Sequence, residues 1–177
     1  MAKLLREHFI EDESDCTVVS ERKEAIKVAR RQLMADRQIL KKFTQENPNW
    51  LKTLHPIHTM DPPFIVKLME DAAERAQVGP MAAVAGALAD RMQIEMIQQA
   101  NVKTAVVENG GEIAINSTSD IIIGLYVLTT ALKANIGFLF KGGDPSVGIG
   151  TSSGQFGHAM SFGEADAVTI FADTAAL

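Results

Sequence analysis

Apolar and polar positions follow two different periods along this chain. In "SERKEAIKVARRQLMADRQILKKFTQ" the apolar residues Ile26, Ala29, Leu33, Leu40 and Phe43 recur near one face at helical spacing, which predicts an amphipathic helix over 20–45. Ser20 is the expected N-cap, its hydroxyl accepting a free first-turn amide. Asp36 interrupts the apolar seam, and Pro48 lies beyond the helix end. "DPPFIVKLMEDAAERAQ" predicts a second helix, with Asp61 as cap, Pro62 in the first turn and a buried stripe of Ile65, Leu68, Met69, Ala72 and Ala76. Gly79 and Pro80 then break the chain. "MAAVAGALADRMQIEMIQQA" predicts a third helix whose first half is almost all alanine and glycine. Gly86 costs a helix interior about 1 kcal/mol relative to Ala. Its small neighbours admit either another backbone or a flat ligand.

The second half changes period. "VKTAVV", "EIAI", "DIIIGLYVL", "NIGFLF" and "AVTIFA" are short β-branched runs divided by the turn signals "ENGG", "NSTS", "TTALKA" and "KGGDPS". Asn109 and Gly110 suit the positive φ angles of a two-residue hairpin. A helical first half and a stranded second half predict an α+β fold, with helices packed on an antiparallel or mixed sheet.

Composition narrows the class of protein. At 177 residues the expectation is one domain, 1–177, with a substantial core. A net charge of −5 disfavours nucleic acid as a partner. The basic run from Arg22 to Lys42 is interleaved with acids and reads as a solvated helix face. Cys16 is the sole cysteine, so no internal disulfide is expected. The N-terminus lacks a signal-peptide core and nothing approaches a membrane span, which makes cytoplasm the expected location and a membrane no partner. His55 and His58 sit in the loop "NPNWLKTLHPIHTMDPP" and read as surface histidines, because no third metal ligand stands near.

The chemistry concentrates in "VGIGTSSGQFGHAMSFG", which carries five of thirteen glycines with Thr151, Ser152, Ser153 and His158. Bare backbone amides and hydroxyls can surround an anionic oxygen. The stretch lacks the lysine of a Walker loop and the spacing of a dinucleotide fingerprint. A hydrolase would use Ser152 or Ser153 with His158 as base, but the GxSxG elbow is missing. A third reading is a loop whose hydroxyls cap its own backbone.

Three segments, "VGPMAAVAGALADRM", "VVENGGEIAI" and "GIGTSSGQFGHAMSFGEADAVTIFA", together resemble an ApbE-like family related to the FAD:protein FMN transferases. The similarity runs from "REHF" to the last residue. It implies a flavin-transferase-like α+β fold with these segments facing one cleft. In the transferases that cleft holds FAD, and magnesium helps move FMN onto a Ser or Thr of an acceptor protein. Gly86 and Asp90 stand at the family's glycine and aspartate, and Gly110 and Gly111 at its paired glycines. Glu112 replaces an Asp, Thr151, Ser152 and Gly154 match the Thr-Ser-Gly loop, and His158 resembles the following histidine. Ala85 replaces the usual lysine, the Asp-Pro-x-Thr-Gly motif is absent, and "ADTAAL" stops where the magnesium-binding run would begin. Asp173 and Thr174 are near misses, so retention of magnesium is not expected, and the chain reads as short at its C-terminus relative to that family.

The resulting pocket comprises Gly79, Ala82, Gly86, Asp90, Asn109, Gly110, Gly111, Glu112, Thr151, Ser152, Ser153, Gly154 and His158. Its expected occupant is a small molecule or nucleotide, FAD or FMN in the first place. No residue is singled out as catalytic. One reading is a transferase-like enzyme; the other is a ligand-binding or scaffold protein that kept the fold and lost the metal site. Self-association is left open. If Gly110 alone makes the turn, the bare Cα of Gly111 leaves room for the ligand.

Overall fold

The computed structural model describes residues 3–124, 136–152, 165 and 167–177. Six strands form an antiparallel sheet in the order β1 (Leu5–Glu11), β2 (Ser14–Ser20), β3 (Thr104–Asn109), β4 (Glu112–Ser117), β7 (Val147–Ser152) and β8 (Val168–Ala172). The helices α1 (Lys23–Glu46), α2 (Pro48–Lys52), α3 (Phe64–Ala76) and α4 (Val84–Ala100) supply the core on one face. A two-stranded ribbon, β5 (Ile121–Gly124) and β6 (Gly137–Phe140), packs on the other. The expected α+β class is observed, with antiparallel pairing throughout the described strands.

Strand alternation sorts the two faces. Cys16, Val18, Ala105, Val107 and Ala114 point into the helical core. Val106, Ile115 and Ile149 meet Phe140 of β6 on the opposite side. On α1 the predicted stripe of Ile26, Ala29, Leu33, Leu40 and Phe43 is buried. Asp36, which interrupts that seam, is buried as well. Gln32 donates to its Oδ2 at 2.9 Å and Arg91 of α4 at 3.2 Å, so the break in the apolar pattern ties two helices together.

Five sequence expectations need correction. The first half is not all helical, because β1 and β2 form a hairpin whose turn has Asp12 at φ 52. Ser20 ends β2 and does not cap α1; Arg22 holds the N-cap position without a side-chain cap. Asp61 does not cap α3 either. The two prolines after it exclude helical geometry from the residues they follow, so the helix starts at Phe64. Val66 and Ala73 join the buried stripe of α3, whereas Ala76 is exposed. The loop after Pro48 contains the short helix α2, which places Trp50 edge-on to Phe43 and lets its Nε1 donate to Glu70 at 2.8 Å. Within that loop His58 is exposed against Glu74.

The Asp36 bridge yields a stability prediction. Asp36→Ala leaves a largely buried guanidinium with only Glu95 as its ion partner on α4. Urea unfolding of this variant should show a loss on the order of 3 kcal/mol. A loss below about 0.5 kcal/mol, the size of an ordinary surface change, would show that the bridge does not hold α1 to α4.

Candidate functional site

The β3–β4 hairpin forms one edge of the site. Asn109 pairs with Glu112, so Gly110 and Gly111 make a two-residue turn. Both have positive φ, 63 for Gly110 and 108 for Gly111. Gly111 therefore needs to be glycine for its backbone, whatever stands above it; a Cβ there would meet nothing within 4 Å. The turn expected at Asn109 and Gly110 lies one residue later, at Gly110 and Gly111. The Gly110 amide donates to the Asp15 carbonyl at 2.9 Å, and the Gly111 amide to Glu108 Oε1 at 2.9 Å. Buried Asn109 donates from Nδ2 to the Ala85 carbonyl at 3.0 Å and accepts from the Cys16 thiol at 3.3 Å. These bonds fasten the turn to β2 and to the first turn of α4.

The second edge is β7. The stretch expected to be a loop from Gly148 begins as a strand, with Ile149 and Thr151 alternating with glycines. Gly148 opposes Ala114 on the helical face, and continuing that register sets Gly150 beside Glu112. Thr151 faces the other way, its hydroxyl 3.1 Å from that of Thr169. Ser152 is exposed. Ser153, Gly154 and His158 lie outside the described residues.

The small-residue start of α4 receives the chain's own backbone. A Cβ on Gly86 would sit 1.9 Å from the Ala175 carbonyl oxygen, and one on Gly148 would sit 2.0 Å from the Thr174 carbonyl carbon. Between these two glycines runs the segment after β8. Buried Asp90 accepts the amides of Ala175 and Ala176 through its two carboxylate oxygens, each at 2.9 Å. Burial raises the Asp90 carboxyl above the usual aspartate range, against the pull of those amides. Tight packing thus accounts for Gly86, which leaves no room for a flat ligand at that point. Gly79 is filled in the same way, by the Thr53 carbonyl 2.0 Å from where its Cβ would be. Ala82 is exposed on the 3-10 turn Pro80–Ala83.

Open space remains farther along β7. A Cβ on Gly150 would meet nothing within 4 Å. Beside it on the edge strand β8, Ile170 is 59% exposed and Val168 48%. Strand alternation puts both on the helical face, as it does Glu112. Among the described residues, Gly111, Glu112, Gly150 and Ile170 therefore lie along one open stretch of the helical face. Within it, burial pushes the Glu112 carboxyl up to about 7; its own backbone amide opposes that rise and the neighbouring Glu108 charge adds to it. Among the described residues no group of three His, Cys, Asp or Glu could hold a metal. Both Asp90 oxygens accept backbone amides, and Asp173 is exposed.

The family model that matches the chain is described as AbpE bacteria and covers residues 2–177. The chain belongs to this family. Among its relatives is a UPF0280 protein of Methanococcus vannielii, 44% identical over 154 residues, covering 85% of this chain and 62% of the relative. A UPF0280 protein of Methanothermobacter thermautotrophicus is 38% identical over 143 residues, covering 81% and 55%. One from Methanopyrus kandleri is 38% identical over 168 residues, covering 94% and 66%. The chain spans less than two thirds of the length of each of these three. These matches overturn the resemblance to the FAD:protein FMN transferases. The family that fits is a different one, and the residues that carried the resemblance, Gly86 and Asp90, hold the chain's own backbone. No helix among the described residues is long and apolar enough to cross a membrane.

Sequence reasoning placed Glu112 and, within Gly148–His158, Gly150 in the pocket, but not the seat of residues 174–176. The signal for β7 was present as the alternation of Val147, Ile149 and Thr151 inside the glycine-rich stretch.

Glu112 makes stability depend on pH. Its folded value of about 7 lies above the ordinary 4.5, so the native state binds the extra proton between those values. The stabilising contribution is full below about pH 4.5 and is lost as pH rises through 7. Glu112→Gln, which keeps the uncharged shape, should gain on the order of 3 kcal/mol over the parent at pH 8 and nothing at pH 4. Denaturant midpoints at both pH values check this, and an equal gain at both would refute it.

Proposed function

We propose that the chain is a small-molecule binding protein whose cleft takes a planar heterocycle by a lactam edge, the flavin ring of FMN or FAD being the first to test. The observation that supports this reading is Glu112, a carboxyl poised near neutrality beside open space over Gly111 and Gly150. A protonated carboxyl presents an O–H donor beside a carbonyl acceptor. A lactam, with N–H next to C=O, is its complement and forms two hydrogen bonds with it. Exposed Ile170 and Val168 offer apolar contact to the ring. The chemistry required of the protein is recognition, and no covalent step is assigned.

Riboflavin, FMN and FAD are the probes, read by quenching of flavin fluorescence. Binding should be tighter at pH 6 than at pH 8, because the proton on Glu112 supplies one of the two bonds. Two hydrogen bonds at about 1 kcal/mol each correspond to at least tenfold in affinity. Glu112→Leu should therefore weaken binding tenfold or more, while Glu112→Gln, also donor and acceptor, keeps it. Riboflavin methylated at N3 should bind at least tenfold more weakly than riboflavin. Equal binding of the methylated and parent flavins, or no flavin binding by the folded protein, defeats the reading.

A further inference from the structure

The geometry points to a latch: residues 174–176 form a releasable strap seated between α4 and β7, and its seating sets the inner wall of the cleft. Three separate features build the seat. Gly86 on α4 and Gly148 on β7 have no Cβ where the strap backbone passes, and any side chain at either position would collide with it. Asp90 receives two successive strap amides. That arrangement holds the backbone of a turn by its amides, with the small Ala175 and Ala176 packed on the helical core.

The strap is lightly held by its own side chains. Asp173 and Thr174 are exposed, and Ala175, the buried residue, has only a methyl to bury. β8, which leads into it, is paired with β7 alone among the described residues. Its Val168 and Ile170 are exposed, and Phe171 meets Phe138 of β6 edge-on. Opening therefore disturbs two hydrogen bonds and few apolar contacts, whereas β3 and β4 are sandwiched between both cores. Segments of this kind open by local rather than global unfolding. Release would uncover Gly86 and Gly148 and lengthen the cleft inward from Gly150. This consequence for ligand access rests on the cleft proposed above; the latch itself does not.

Amide hydrogen exchange on the full chain tests it by NMR. In the parent, Ala175 and Ala176 should exchange at least tenfold faster than Val107 and Ala114, with little dependence on sub-denaturing urea. Asp90→Asn places a donor amide against two donors, and Gly148→Ala crowds the strap from the other wall. Either should speed Ala175 and Ala176 at least tenfold further and leave Val107 and Ala114 unchanged. The parent measurement stands even where a variant fails to fold. Saturating riboflavin should change exchange at Ala175 and Ala176 if the strap governs the cleft. Exchange of the strap at the same rate and urea dependence as Val107 overturns the latch. So does an equal acceleration of every amide in a folded variant. If riboflavin binds with strap exchange unchanged, the strap does not govern access; if riboflavin does not bind, the cleft reading fails while the exchange data still decide the latch.

Discussion

The backbone of residues 174–176 can lie between α4 and β7 only because two side chains are missing and one carboxylate is present. Gly86 and Gly148 face the strap from opposite elements, and Asp90 takes the two amides that this close approach would otherwise strand without water. The arrangement couples α4, β7 and β8 where direct side-chain packing is thin. Its cost is a buried carboxylate, visible in the raised Asp90 value, and the two amides are what keep that cost tolerable. Asn109 repeats the device one strand away. Its side chain reaches the Ala85 carbonyl at the start of α4, where the first turn lies against the hairpin. Polar side chains acting on backbone groups therefore fix both edges of the cleft.

Charge on the outer layer follows a similar logic. The basic residues of α1 engage the β1–β2 hairpin: Arg37 contacts Asp12 and Glu13, Lys41 reaches Asp12 at 3.1 Å, and Arg30 pairs with Glu11. Lys41 and Arg37 hold the Asp12 carboxyl below its usual range, and Arg37 does the same for Glu13. These are exposed pairs that orient the turn and add little stability each. The cleft is different. Glu108 and Glu112 lie close together without an ion partner among the described residues, and Arg91, the nearest cation in sequence to Asp90, turns toward Asp36, Glu95 and the ring of Phe64.

Much of this fold was legible in the sequence because long helices and β-branched runs declare their period. The stripe on α1 and the apolar run of β8 lie where periodicity put them, and the β3–β4 turn lies within one residue of where turn chemistry put it. The β1–β2 hairpin was hidden for physical reasons. Its outer strand is an edge that carries Arg6, Glu7 and Glu11, and its turn relies on Asp12 in a left-handed conformation without a glycine to announce it. β7 was hidden because four of its six residues are glycine, serine or threonine, and glycine weakens the strand signal even where it serves close packing.

Glycine is also where the site was ambiguous. From the sequence, Gly86, Gly148 and Gly150 are alike: each could admit a backbone or a ligand. The structure separates them by what fills the missing Cβ position, which is strap backbone at Gly86 and Gly148 and open space at Gly150. The difference arises from residues more than twenty positions away, since the strap follows β8 and β8 takes its register from β7. A bare Cα states only that something comes close or that φ is positive. Which of these applies depends on long-range pairing, and for that reason the small-residue pattern alone does not separate the seat of the strap at Gly86 and Gly148 from the open position at Gly150.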